Sequence, residues 1–149
     1  MKTYPISIRE QILQNLIHTL TPVATDMGAT LFRSPVVALV RDQTPAIVVF
    51  PEEETTDAQN TLSKRRLTVR VVALARAATG NDAEIVADQL MVAVHAALMG
   101  NFNLGGLCQK ITELGTEWDV EDADARAVAI PAKYAIDYRT GVNDLTLKA

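Results

Sequence analysis

Apolar residues recur at helical spacing near the start of the chain, where Ile8, Ile12, Leu13, Leu16, Ile17 and Leu20 fall on one stripe. Ser7 precedes that stripe and Glu10 follows it by three residues, the spacing of a capping box in which hydroxyl and carboxylate each satisfy a backbone donor. Pro22 disfavours helical geometry at Thr21, so the helix is expected to fade there, with a brief restart to Asp26 as the alternative. Gly28 then ends the region.

Shorter apolar runs follow. Residues 29–32 read as a strand, 36–40 as a candidate second, and 46–50 as a clear one set between Pro45 and Pro51. Valine-rich residues 67–76 resume β character. The stretch between, residues 52–66, reads as a charged loop. It opens on Glu52, Glu53 and Glu54, closes on Lys64, Arg65 and Arg66, and holds neither Gly nor Pro.

Asn81 with Glu84 three residues on marks a second helix, with Val86, Leu90, Ala93, Val94 and Ala97 as its apolar stripe and Gly100 as its stop. Residues 104–108 are a glycine-containing connection with no assigned form. Leu114, Thr116, Trp118 and Val120 share one face of the next strand, which puts Trp118 in the core. In the last strand Val128, Ile130, Ala132, Tyr134, Ile136 and Tyr138 alternate, the clearest period of two in the chain. Pro131 lies on the opposite face and removes a ladder donor, so an edge or a bulge is expected there. Residues 121–124 read as the hairpin turn and 141–149 as a loose tail.

This order predicts a single α+β domain over residues 1–149, its core spanning 7–140. Its architecture is an antiparallel β-sheet of four to six strands with two α-helices packed on one face. Two helices cover one face only. Residues 46–50 and 69–75 are apolar on both sides, the signature of strands covered twice. A neighbouring subunit is the economical cover, and a local loop is the alternative.

Composition narrows the function. At 149 residues, 48% hydrophobic and 21% charged, the chain has an ordinary globular balance. Its formal charge of −4 argues against direct nucleic-acid recognition, which needs a basic stripe. The lone Cys108 cannot form an internal disulfide, and the first residues lack the run of a signal peptide. No apolar stretch approaches the roughly 18 residues of a membrane span. The expectation is a soluble protein, cytoplasmic at synthesis, with no membrane partner.

Candidate chemistry is sparse. His18 and His95 sit one on each predicted helix without ligand or base partners at fixed spacing, so a structural role is the plainer reading. Cys108 has no local nucleophile signature. Asp119, Glu121, Asp122 and Asp124 cluster without the glycine an EF-hand loop requires, and read as a solvated turn. Gly105-Gly106 lacks the Lys-Ser or Lys-Thr of a phosphate loop. These absences lead to the expectation of a non-enzyme with no cofactor and no metal.

The charge-split stretch 52–66 points to assembly instead. Solvated charge runs and guarded strand edges are its plain explanation. Yet acids at one end and bases at the other suit a head-to-tail contact between identical subunits, which closes into a ring when the rotation allows. The expected subunit interface is therefore Glu52, Glu53 and Glu54 against the next copy's Lys64, Arg65 and Arg66. Exposed pairs of this kind set register more than affinity.

The ordered set of elements resembles the phage tail terminator family, the group of the lambda minor tail protein U. It rests on the capped first helix, Gly28-Ala29-Thr30-Leu31-Phe32 leading to Pro35, and Pro45-Ala46-Ile47-Val48-Val49. The polar stretch and Leu67-Thr68-Val69-Arg70-Val71 come next. The acid-started second helix and Tyr134-Ala135-Ile136-Asp137-Tyr138-Arg139-Thr140 complete it. The resemblance implies a structural protein that forms a ring, in that family a hexamer, on the end of the tail tube. There it stops tube polymerisation and presents the head-joining surface. Implied partners are further copies of itself, the tail tube protein and a head–tail connector protein. It further implies that residues 52–66 are flexible and take part in ring contacts, that assembly takes place in the host cytoplasm, and that the finished location is the virion tail. Another neck or completion protein, and a small ligand-binding or regulatory domain, are the alternatives.

Overall fold

Ser7 does begin the first helix, α1 (Ile8–Asp26), and the Glu10 backbone N–H donates to its hydroxyl at 3.0 Å. Only half of the capping box forms. The Glu10 carboxylate turns away to take two hydrogen bonds from Arg33, both 2.6 Å, because a bidentate charged pair outweighs one backbone donor. The computed structural model describes residues 2–35, 44–76, 80–120 and 127–149, with only the backbone at 80, 81, 119 and 120. The candidate strand 36–40 and the acidic turn 121–124 lie outside those residues.

Helix α1 runs straight through Pro22 rather than fading at Thr21. Thr21 and Pro22 lie on the exposed side, where water can serve the carbonyl that proline leaves unpaired. The second helix, α2 (Gly80–Gly100), buries Ala83, Ala87, Leu90, Val94 and Leu98. That stripe is rotated from the expected one: Leu90 and Val94 stay central, while Val86, Ala93 and Ala97 move to its flanks.

The strands are β1 (Thr30–Arg33), β2 (Ala46–Gln59), β3 (Leu62–Arg76), β4 (Lys110–Thr116), β5 (Asp119–Val120) and β6 (Ala127–Gly141). They form one sheet in the order β1-β2-β3-β6-β4, with β5 pairing β6 as well. The fold is α+β as expected. The sheet is mixed rather than purely antiparallel, since β1 runs parallel to β2. Both helices share one core with the sheet face formed by Ile47, Val49, Val69, Val71, Ile130 and Tyr134.

Residues 52–66 are not a loop. Strand β2 continues past Pro51, pairs with β3 out to Gln59↔Leu62, and turns over the two residues Asn60 and Thr61. Pro51 is accommodated because the register slips between Pro51 and Glu53, leaving Glu52 as an extra residue in a bulge. Asn60 takes the positive φ of 33° at the turn. Alternation of Thr, Arg and Leu on β3 with Thr and Glu on β2 carries the pairing outward, beyond the point where hydrophobicity stops announcing it.

Pro131 lies mid-sheet, at neither an edge nor a bulge of its own strand. Its carbonyl accepts from the Glu117 N–H at 3.0 Å, so its missing N–H faces the gap between β4 and β5. The break belongs to the neighbouring strand. Strand β4 carries a bulge between Glu113 and Gly115, which turns Leu114 outward, 49% exposed. Trp118 falls between β4 and β5 and is 62% exposed, so it is not a core residue.

The C-terminal tail is tied down. Gly141 N–H donates to Leu147 O at 2.9 Å, Thr140 bridges to Lys148, and Ile8 N–H donates to Leu145 O at 2.9 Å. Asp144 accepts from the backbone N–H and hydroxyl of Thr146, which holds its carboxyl below the usual range.

Candidate assembly surface

The bulge at Glu52 sorts the three expected acids onto different sides. Glu54 points toward the helices, only 12% exposed. There it pairs with Arg65 at 3.2 Å and with Arg9 of α1 at 2.8 Å, and accepts the hydrogen bond of the Tyr138 hydroxyl. Arg65 also donates through Nε to Thr140 at 2.9 Å. Burial and the adjoining Glu54 carboxylate push the Tyr138 hydroxyl well above its ordinary value. The acid and the base expected to meet across a subunit boundary meet inside one subunit.

Glu52 turns to the second sheet face, 3.5 Å from both Arg70 and Lys133. Arg66 forks onto Asp137 on the same face, with contacts of 2.8 and 3.1 Å, and its pKa rises accordingly. Glu53 and Lys64 are exposed, and among the described residues neither makes an ion pair. Of the six residues expected at the interface, these two keep their charges free for a neighbour.

The far end of the second face forms an open groove of about 630 Å³ between β2, β3 and β6. Lys64, Arg66, Lys110 and Arg139 line it, against Asp57 and Asp137. The near end is apolar. Ala46, Val48, Ala127 and Ala129 are buried, and Phe50, Val72, Leu74 and Pro131 are half-buried around them. The Arg70 guanidinium lies 5.0 Å over the Phe50 ring. A sheet face that is basic at one end and apolar at the other, on a chain of net charge −4, has no parallel elsewhere on the described surface.

His95 does have partners: its Nδ1 lies 2.9 Å from the Tyr134 hydroxyl and 3.5 Å from Glu113. Burial pushes Tyr134 up to about 12, the wrong direction for a base at neutral pH. Burial likewise pushes the Cys108 thiol up to about 11, and its Sγ lies 3.4 Å from the Phe102 carbonyl oxygen. His18 is exposed on α1. Among the described residues no hydrogen bond joins any two of His18, His95 and Cys108, and no group of three metal-ligating side chains forms.

No protein-family model matches the chain. No curated protein matches it either. Among solved structures, its fold is that of a chain in the virion of a native gene transfer agent particle. The TM-score is 0.60 and the identity 13%, covering 88% of this chain and 90% of that one. At that identity the likeness establishes the shared fold.

Proposed function

We propose that this protein is a non-catalytic structural component of a phage-like virion. In this reading it is a tail terminator-like subunit that forms a ring, six copies in all. The ring caps the tail tube, halts its polymerisation and offers the surface to which a head–tail connector protein binds. Assembly takes place in the host cytoplasm and the finished ring sits in the virion tail. The observation that carries the reading is the near end-to-end fold match to a chain of a virion particle. Two further features support it. The strongest surface feature among the described residues is the open basic groove at the far end of the second sheet face, which suits association with an acidic partner surface. The side chains able to do chemistry are dispersed or held protonated.

Tube assembly tests it. Tail tube protein from the same source, polymerised with increasing amounts of this protein, should give progressively shorter tubes with a ring on one end by electron microscopy. Tubes of unchanged length, with this protein unbound, would sink the capping role. Normal tubes that fail to join heads when the gene is deleted would assign it to the neck instead.

A further inference from the structure

The groove at the far end of the second sheet face holds two cations that no carboxylate among the described residues neutralises. Lys64 of β3 lies directly opposite Arg139 of β6. Like charges so placed on an antiparallel pair repel, with Cβ atoms about 5 Å apart. Two residues along β3, Arg66 is forked onto Asp137, and Lys110 lies 3.9 Å from that same carboxylate. Asp57, opposite Lys64 on its other side, accepts from Gln59 at 3.1 Å and pairs with no cation among the described residues. With its amide turned to satisfy both groups, Gln109 accepts from Arg139 Nε at 3.0 Å and Nη2 at 3.2 Å. A neutral acceptor fixes the guanidinium without cancelling its charge. Lys64, Arg66 and Lys110 are exposed, so the groove is open to a partner. Carboxylates arriving there remove a repulsion already present in the folded chain.

A chain of net charge −4 that gathers five cations against two carboxylates in one groove is acidic over the rest of its surface. A second copy therefore presents the charge the groove calls for. Glu84 and Asp88 are exposed on α2, one turn and about 6 Å apart, and make no ion pair among the described residues. Glu10, Glu52, Glu54 and Asp137 are engaged within their own subunit. Glu53 and Asp57 lie on β2 beside the groove itself. We infer that Glu84 and Asp88 of one copy enter the groove of the next and meet its Lys64 and Arg139. This rests on the reading of the protein as a self-assembling subunit. The two acids and the two cations are spaced alike, so both pairs form together. Ile85 and Val92, 56% and 64% exposed, flank the acids, and the methylene stems of Lys64 and Lys110 give them cover. The helices pack on the sheet face opposite the groove, so the two surfaces point apart. The contact is head-to-tail and leaves both ends open until a ring closes.

Charge reversal tests the contact through two double variants. One carries Lys64→Glu with Arg139→Glu in the groove, the other Glu84→Lys with Asp88→Lys on the helix. Circular dichroism and melting establish that each is folded, and Lys64→Glu alone replaces the groove variant if it is not. Each by itself should lose self-association by at least about tenfold in sedimentation or native mass spectrometry. Mixed in equal amounts they should assemble again in alternation, because reversed groove then meets reversed helix and natural groove meets natural helix. Either variant assembling like the natural chain overturns the inference, and so does a mixture that stays apart. Natural protein that binds a duplex DNA fragment through Lys64 and Arg139 without self-associating overturns it in favour of phosphate. Protein that shortens tubes without self-associating sinks this contact and leaves the capping role standing. Recovery in the mixture with tube length unchanged by the natural chain does the reverse.

Discussion

Glu53 and Glu54 are neighbours of one chemical type with opposite fates. Removing the Glu54 charge leaves Arg65, Arg9 and Tyr138 without their common acceptor in a half-closed site. Glu54→Gln should therefore destabilise by about 2–4 kcal/mol in denaturant unfolding. Glu53→Gln, on an exposed position without a partner, should change stability by less than about 0.5 kcal/mol. Cys108, Tyr134 and Tyr138 are all held protonated in the folded state. The unfolded chain ionises its thiol first, near 9.0, while the folded thiol waits until about 11. Stability is thus full below pH 9 and falls as pH rises, by up to about 1.4 kcal/mol per pH unit for each group, the thiol contributing from about pH 9 and the two tyrosines from about pH 10. Unfolding midpoints that stay level between about pH 8 and about pH 10.5 would contradict that burial. None of these roles could be read from residue type. Sequence assigned all three glutamates one role because it could not show the bulge at Glu52 that turns them apart.

At the scale of elements, period carried the reading where hydrophobicity was strong and lost it where polar residues took over. Strand β6 and the first turns of α1 were legible because their buried positions are apolar at the right spacing. The outer halves of β2 and β3 were not, because their inward positions are Glu54, Thr56, Ser63 and Arg65, of which Glu54, Thr56 and Arg65 are held by polar pairing rather than by transfer from water. Beyond Arg33↔Val49 strand β1 gives β2 no partner, so, among the described residues, 53–59 form a sheet edge guarded by Glu53 and Asp57. Central β3 is paired on both sides from Leu62 to Leu74. Its amides over residues 62–74 should therefore exchange slowly, on the timescale of global unfolding. Hydrogen exchange that empties residues 62–66 within seconds would restore the loop. Pro131 illustrates the same limit: its sequence context signals a missing donor, but only topology shows that the gap lies in the adjacent strand.

At the scale of the molecule, the charges that looked complementary between subunits are largely satisfied within one. What stays open among the described residues is the basic groove at the far end of the second sheet face and the apolar side chains on the outer side of α2. Association of a partner's acids with the basic groove lined by Lys64, Arg66, Lys110 and Arg139 would be largely electrostatic. It should weaken as ionic strength rises from about 0.05 M to about 0.5 M, where the screening length falls to a few ångströms. Complexes measured by native mass spectrometry that grow with salt instead would point to apolar contact alone.

The chain by itself determined that there are two helices and a sheet, where α1 begins, and that the sheet is apolar on more sides than two helices can cover. Those properties follow from local periodicity and capping, which depend on neighbours a few residues apart. Only the tertiary structure decided that residues 52–66 pair as a hairpin, that Glu54 and Arg65 face each other, and that α2 keeps an apolar ridge outside. Each of these depends on which strands lie side by side and where a bulge falls. That choice is made by the summed packing of the whole core, and no short stretch of sequence carries it.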